Sequence, residues 1–180
     1  PCKVIGVTLD ITERKKAEEE ILYSISLLKA SLESTADGIL VLDNDGKIKI
    51  FNQRFAEMWK VSYDSLENKT GSFALNLVID QIEEPGNFLE RIDLLNSNLT
   101  EESYDEIHFK DGRVFERYSM PQRINENVVG RVWSFRDVSE KFLYEKALSK
   151  SEQKLRAIIN SVPDIMFTID KTGVILEHHT

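Results

Sequence analysis

The chain has 180 residues, 41% of them hydrophobic, so it is long enough to bury a core of its own. Its 23 basic and 31 acidic residues give a net charge of −8, which excludes a surface suited to nucleic-acid phosphates. Since Cys2 is the only cysteine and no apolar run approaches the roughly 20 residues of a membrane-spanning helix, we expect no internal disulfide, no membrane contact in this segment and a cytoplasmic location.

The chain begins with a predicted strand and a long helix. Alternating apolar residues predict a strand over residues 3–9, and Asp10 followed by Glu13 resembles a capping box that starts a helix. Apolar residues in this helix are spaced four, three and four apart, as in a heptad seam of about two heptads. The seam residues are Ile21, Ile25, Leu28 and Leu32. The seam predicts either a dimer contact or a helix packed on its own domain.

The middle of the chain predicts two strands, a helical stretch and three more strands. Asn44, Asp45 and Gly46 predict the first hairpin turn, and Asn52 is a candidate N-cap for the helix that follows. The predicted strands cover residues 38–42, 47–51, 103–110, 114–118 and 128–135, and residues 73–82 and 88–95 have helical spacing. This order predicts an α+β fold with a five-stranded antiparallel sheet and helices over one face.

A second long helix and the start of another hairpin close the chain. The helix is predicted over residues 139–161, and the hairpin begins at Ile165 with its turn at residues 171–173.

An internal repeat organises these elements. Residues 28–53 match residues 155–180 at a shift of 127 positions, from Leu28 to Leu155. The same shift places residues 10–13 on residues 137–140 without a gap. The matches come either from a tandem array of one domain and its linker or from chance similarity. An array explains both matches by a single shift, whereas chance must produce the same shift twice. Because the chain opens at Pro1, we also expect it to be a segment of a longer protein.

The middle unit resembles a PAS domain, a module found in tandem in bacterial and archaeal signalling proteins. The motifs that carry the resemblance are Asp37-Gly38-Ile39, Asp43 with Gly46-Lys47-Ile48, Asn52 with Phe55, and Asp137-Val138-Ser139-Glu140. The resemblance implies the last strand of a preceding PAS domain at residues 1–12, a linker helix at 13–34, a complete PAS domain at 35–138, a linker helix at 139–161 and a truncated following PAS domain at 162–180.

Few of the cofactor residues known in this family are present. Flavin photosensors need a cysteine in the helix after the Asn52 position, and members with a bound chromophore need one inside the unit, whereas Cys2 lies outside it. Haem-binding members need an axial histidine, commonly from the middle helical stretch, and residues 73–95 contain none. The cofactor is therefore unassigned. We predict no metal site either, because neither His108 nor the pair at residues 178–179 has partner ligands.

No catalytic motif is present in the sequence. It lacks a glycine-rich dinucleotide loop, a Walker motif, a zinc-protease HExxH and a GxSxG elbow. We therefore predict no enzymatic activity in this segment and expect an output enzyme, a histidine kinase or a diguanylate cyclase, outside it.

The pocket implied by the resemblance lies between the sheet and the helices. The pocket candidates are Ile39, Val41, Phe55, Met58, Phe73, Leu77, Phe88, Ile107, Phe109, Phe115, Arg117, Val132 and Ser134. A filled core is the alternative reading of this set. An inward Arg117 would need a carboxylate or a ligand anion, and Glu106 is a candidate partner.

Two functions remain open at this point. In the first, a sensory module relays a pocket or interface change through its last strand into the C-terminal linker helix. Its relay residues are Asn52, Trp133, Asp137, Ser139 and Glu140. In the second, the unit is a ligand-free dimerisation spacer that sets helix register. We expect a homodimer, neighbouring PAS and output domains as partners, and a small-molecule ligand in the first case only.

Overall fold

A computed structural model of the chain describes residues 11–161 and 166–179. The strand predicted over residues 3–9, the Asp10 cap and the start of the last hairpin at Ile165 lie outside the described residues. The helices are α1 (Thr12–Glu33), α2 (Gln53–Trp59), α3 (Tyr63–Leu66), α4 (Gly71–Val78), α5 (Pro85–Ser97) and α6 (Ser139–Ser161), with a 3-10 turn at Ile79–Gln81. The strands are β1 (Gly38–Asp43), β2 (Ile48–Phe51), β3 (Ser103–His108), β4 (Val114–Ile124), β5 (Asn127–Asp137), β6 (Met166–Ile169) and β7 (Ile175–His179).

Strands β1 to β5 form one antiparallel sheet in the order β2-β1-β5-β4-β3. The predicted α+β fold and its five-stranded sheet are confirmed. Strand β5 lies at the centre, between β1 and β4, so the last strand of the sheet in sequence contacts both halves of it. Strands β6 and β7 form a separate two-stranded hairpin.

The hydrophobic core lies between the inner face of the sheet and helices α2, α4 and α5. Trp59 of α2 is at its centre, with ring centroids 5.2 Å from Phe135, 5.3 Å from Phe109 and 5.9 Å from Phe115. Because aromatic pairs in such tilted or edge-on arrangements add to the gain from burial, this cluster anchors the helical layer to the sheet.

Several element boundaries differ from the prediction for local reasons. Helix α4 begins earlier than expected because the Thr70 hydroxyl accepts a hydrogen bond from Phe73 N at 3.3 Å and caps the helix. Helix α5 begins at Pro85, before the predicted stretch of residues 88–95, because proline is well suited to a first helical turn. Strands β4 and β5 are longer than predicted and are joined by a tight turn at Asn125, which has φ of 55°.

The long helices α1 and α6 carry no buried residues. Neither these nor any other helix in the described ranges is long and apolar enough to cross a lipid bilayer.

The two hairpin turns separated by 127 positions have the same hydrogen bonding. In the first, Asp43 Oδ1 accepts hydrogen bonds from the backbone N–H groups of Asp45 and Lys47. In the second, Asp170 Oδ1 accepts them from Thr172 and Val174. Gly46 and Gly173 both have positive φ, 74° and 86°, which glycine adopts without strain.

Candidate ligand cavity and exit helix

A cavity of about 240 Å³ lies inside the domain, between the sheet and the helices. The sheet lines it with Leu40 and Leu42 of β1, Arg117 of β4, and Trp133 and Phe135 of β5. The helices line it with Phe55 and Trp59 of α2, Ala74 and Val78 of α4, and Phe88 of α5. Most of this wall is apolar or aromatic, as in ligand pockets generally.

Four predicted pocket residues on β1 and β5 lie on the other face of the sheet. Leu40, Leu42, Trp133 and Phe135 line the cavity, and side chains alternate along a strand. The predicted residues at the intervening positions are Ile39, Val41, Val132 and Ser134. The prediction for these four was wrong because β1 and β5 carry apolar residues on both faces, so the sequence pattern does not identify the inner one. Trp133, predicted as a relay residue, is part of the cavity wall.

Helix α4 is rotated relative to the prediction. Phe73 and Leu77 are 38% and 42% exposed and do not line the cavity, whereas Ala74 and Val78 do. The prediction for Phe73 and Leu77 was therefore wrong by one position. The larger side chains were expected inside, but the helix turns the smaller Ala74 and Val78 toward the cavity.

The remaining predicted pocket residues are buried, but only some of them reach the cavity. Phe55 and Phe88 line it. The buried core outside the lining contains Met58, Phe109 and Phe115, as the alternative of a filled core predicted. Ile107 lines a second, more polar cavity of about 420 Å³, together with residues that include His108, Asp105 and Arg117.

Arg117 is almost completely buried, with 2% of its side chain exposed. Its Nε donates to Asp105 Oδ1 at 2.7 Å and its Nη2 donates to Asp105 Oδ2, so one edge of the guanidinium is matched by one carboxylate. Asp105 lies directly opposite Arg117 in the β3–β4 register. The expected carboxylate partner is therefore present, but it is Asp105 and not Glu106, whose neighbouring position in β3 faces the other way.

The guanidinium of Arg117 also lies over two aromatic rings. Its Cζ is 4.7 Å from the ring centroid of Phe88 and 5.4 Å from that of Trp133. Both distances allow cation–π attraction, which is strongest where water is excluded. Arg117 is thus held from three sides.

Arg131, which was not among the predicted site residues, binds the end of helix α5. Its two terminal nitrogens donate to the carbonyl oxygens of Leu95, Asn98 and Glu101 and to Ser119 Oγ, at 2.9 to 3.2 Å. Burial lowers the pKa of Arg131, and the nearby Glu101 carboxylate opposes that effect. Its position two residues before Trp133 is the signal that it shares the inner face.

Asn52 joins three parts of the chain at the start of α2. Its Oδ1 accepts hydrogen bonds from Ile39 N at 2.8 Å and Phe55 N at 3.0 Å. Its Nδ2 donates to the carbonyl oxygens of Leu32 and Asp37, both at 2.9 Å. Asn52 therefore caps α2, as predicted, and also binds the end of α1.

The end of β5 is tied directly to the start of α6. Asp137 Oδ1 accepts hydrogen bonds from Ser139 N at 3.0 Å and from Ser139 Oγ at 2.5 Å. Ser139 Oγ in turn accepts from Val114 N at 2.9 Å, which adds the first residue of β4. Two of the predicted relay residues therefore form one contact, while Glu140 is exposed in the first turn of α6.

A second contact joins the entry and the exit of the sheet. Arg136 Nε and Nη2 donate to the two carboxylate oxygens of Asp37 at 2.9 and 2.8 Å, and this pairing raises the pKa of Arg136. Asp37 lies between α1 and β1, and Arg136 precedes Asp137. The connection from α1 to β1 is thus bound to the end of β5, directly before α6.

The heptad seam of α1 is open to solvent. Ile21, Ile25 and Leu28 are 59%, 46% and 65% exposed, and Leu32 is half-buried. Within the described part of the chain, no group of three or more His, Cys, Asp or Glu side chains is arranged to hold a metal ion.

Comparisons with known proteins agree with this architecture. A family model described as PAS domain matches residues 26–96. The PAS domain of an HTR-like protein from Haloarcula marismortui is 20% identical, with a TM-score of 0.50 over 68% of this chain and 98% of that one. The PAS domain of BvgS from Bordetella pertussis is 16% identical, with a TM-score of 0.51 over 73% of this chain and 98% of that one. No curated protein matches the sequence. The profile match, the antiparallel sheet and the helices packed on one face show that this chain contains a PAS domain.

Proposed function

We propose that this chain is a sensory and signal-transmitting segment of a larger signalling protein. In it, a change at the cavity or at an interface displaces β5, and β5 passes the displacement to helix α6. The observation that carries the proposal is the position of β5: Trp133 and Phe135 line the cavity, and Asp137, two residues later, binds the first residue of α6. One short strand segment therefore contacts both the input site and the output helix.

The energetic requirement for such a relay is unequal binding. A ligand shifts the position of β5 only to the extent that it binds the two arrangements with different affinity. The contacts of Ser139 with Asp137 and Val114 make the start of α6 depend on β5 and β4 together, so a shift of β5 relative to β4 alters these bonds.

Hydrogen exchange tests the relay in the chain itself. Phe135→Leu enlarges the cavity from the β5 side, and we expect faster amide exchange in the first turns of α6. Val78→Ala enlarges it from α4 and is the matched control, which should leave α6 exchange unchanged after correction for global stability. In an Asp137→Ala background the effect of Phe135→Leu on α6 should disappear. Equal effects of the two cavity variants on α6 would contradict a relay through β5.

The exposed seam of α1 supports a second candidate function, the dimerisation spacer. Three large apolar side chains in solvent on one helix face are typical of an interhelical contact. Sedimentation velocity should then show a dimer, which Ile25→Asp converts to a monomer. Ser26→Asp adds the same charge one position off the seam and should leave the dimer intact. A monomeric wild-type chain at all concentrations would refute the spacer.

We also propose the tandem arrangement of PAS domains inferred from the repeat. The equal hydrogen bonding of the Asp43 and Asp170 turns supports it, because these turns lie at the same 127-residue spacing as the sequence matches. On this proposal the hairpin of β6 and β7 opens the next unit, and a cytoplasmic output enzyme such as a histidine kinase or a diguanylate cyclase lies outside this segment.

A further inference from the structure

Three buried N–H groups around the cavity have no hydrogen-bond acceptor. Among the side chains that the structure describes, the buried polar atoms without a partner are Trp59 Nε1, Arg117 Nη1 and Trp133 Nε1. All three side chains line the same 240 Å³ cavity, and their exposed fractions are 2%, 2% and 5%. An unpaired donor in such a position is unfavourable, so three around one cavity call for an explanation.

The three side chains that carry these groups are connected by contacts within the cavity wall. The guanidinium Cζ of Arg117 is 5.4 Å from the Trp133 ring. Arg117 is also paired across the β4–β5 ladder with Phe135, whose ring centroid is 5.2 Å from that of Trp59. Since Asp105 occupies the Nε and Nη2 edge of the planar guanidinium, Nη1 is turned away from that carboxylate.

All three unpaired atoms are hydrogen-bond donors, so each can pair only with an acceptor atom. An indole N–H has no acceptor capacity, and neither has a guanidinium. Only a molecule that presents acceptor atoms completes these bonds. Water held by such groups is displaced when a ligand enters, and a ligand without acceptors cannot replace the lost hydrogen bonds.

The charges around the cavity favour an uncharged ligand. The positive charge of Arg117 is already matched by Asp105, and the Asp93 carboxylate also borders the cavity. An anion would add a further negative charge to a low-dielectric site in a protein of net charge −8. The apolar remainder of the wall favours a mostly hydrocarbon body.

We propose that this cavity binds a small, uncharged and mostly apolar molecule whose polar atoms are hydrogen-bond acceptors, such as a ketone, lactone or quinone. Its acceptors take the N–H groups of Trp59, Arg117 and Trp133. Since an apolar cavity of about 150 Å³ binds benzene, a cavity of about 240 Å³ suits a ligand with on the order of ten non-hydrogen atoms. The inference rests on the proposed sensory function, for which it names the chemical class of the signal.

The indole N–H groups report on this interaction directly. The chain has two tryptophans, Trp59 and Trp133, so a ¹⁵N-labelled sample gives two indole N–H signals and both come from the cavity. Coumarin is a flat lactone with acceptor atoms and no donors, and naphthalene has a similar fused-ring body without polar atoms. We expect coumarin to shift at least one indole proton downfield and to bind about tenfold more tightly than naphthalene, as expected for one gained hydrogen bond.

Donor variants then identify the groups responsible. Trp59→Phe and Trp133→Phe each keep an aromatic ring and remove one N–H, and the double variant should bind coumarin and naphthalene with more nearly equal affinity. Phe109→Leu changes the buried core outside the lining and should keep the wild-type preference. Unfolding of each variant in urea shows whether it is folded under the binding conditions.

Several results would overturn the proposal. These are the absence of any indole shift at saturating coumarin, equal binding of coumarin and naphthalene by the wild-type chain, or tighter binding of 1-naphthoate, which carries a charged acceptor. Equal binding of the two neutral probes would show that the cavity binds ligands but does not select those with hydrogen-bond acceptors. Failure of the relay would appear separately, in the exchange experiment on α6, and would not alter the indole shifts.

Discussion

Replacing Asn52 by Ala should destabilise the PAS domain by about 2–4 kcal/mol. The side chain is fully buried and its Oδ1 accepts from Ile39 N and Phe55 N, so the substitution removes an N-cap, which is worth about 1 kcal/mol. It also leaves the second N–H without a partner, which costs about 1–3 kcal/mol in a buried position. The carbonyl oxygens of Leu32 and Asp37 lie nearer to the surface, where water can replace the lost Nδ2 donor.

Urea unfolding followed by tryptophan fluorescence measures this cost. Both tryptophans lie in the core of the domain, so the signal reports unfolding of the sheet and its helices and not fraying of α1 or α6. Thr70→Ala is the matched control: it removes the exposed cap of α4 and an exposed hydrogen bond to Ser72 Oγ, and should cost about 0.5–1 kcal/mol. If Asn52→Ala costs no more than Thr70→Ala, the inferred role of Asn52 in joining α1, β1 and α2 is refuted.

Three further predictions concern glycine, charge and the buried arginine. Gly130→Ala should destabilise the domain by more than about 2 kcal/mol, because the added Cβ would overlap a carbonyl oxygen of β1. Gly86→Ala, in open space within α5, should be neutral or stabilise by up to about 1 kcal/mol. The urea midpoints of the two variants measure the difference. The hydrogen bond from Lys60 lowers the pKa of Asp111 from 3.8 to about 2. The ionised carboxylate therefore contributes to folding stability above pH 3.8, and this contribution is lost as the pH falls toward 2. The stability gap between wild type and Asp111→Asn should therefore be below about 1 kcal/mol near neutral pH, since the pair is partly exposed, and should close in acid; a gap that widens in acid would contradict the assignment. Arg131→Met should cost about 2–4 kcal/mol and accelerate amide exchange at the end of α5, because buried carbonyl oxygens lose their donor; unchanged exchange there would show that the arginine does not hold this helix end.

The features that were predicted correctly depend on neighbours in the chain. The hairpin turn at Gly46 needs a residue with positive φ after an Asp that accepts backbone hydrogen bonds, and the sequence carries both at the required spacing. The capping role of Asn52 is likewise local. The order of strands and helices then limits the topologies available, so the five-stranded antiparallel sheet and its PAS resemblance could be inferred.

The features that were missed depend on residues far apart in sequence. The inner face of β1 could not be identified, because Ile39, Leu40, Val41 and Leu42 are all apolar and either alternate pair could face the core. The same holds for Val132 and Trp133 on β5. The salt-bridge partner of Arg117 depends on the register between β3 and β4, since a shift of one residue exchanges Asp105 for Glu106.

By itself, the sequence determined the five strands of the sheet, their order, the resemblance to the family and the cap of α2, because capping, turn geometry and alternation act over a few residues. Only the tertiary structure decided which side chains share the cavity. That outcome depends on strand register and on the rotation of α4, which turns Ala74 and Val78 toward the cavity and leaves Phe73 and Leu77 exposed. The three unpaired N–H groups likewise come from two strands and a helix, and only packing brings them to one wall.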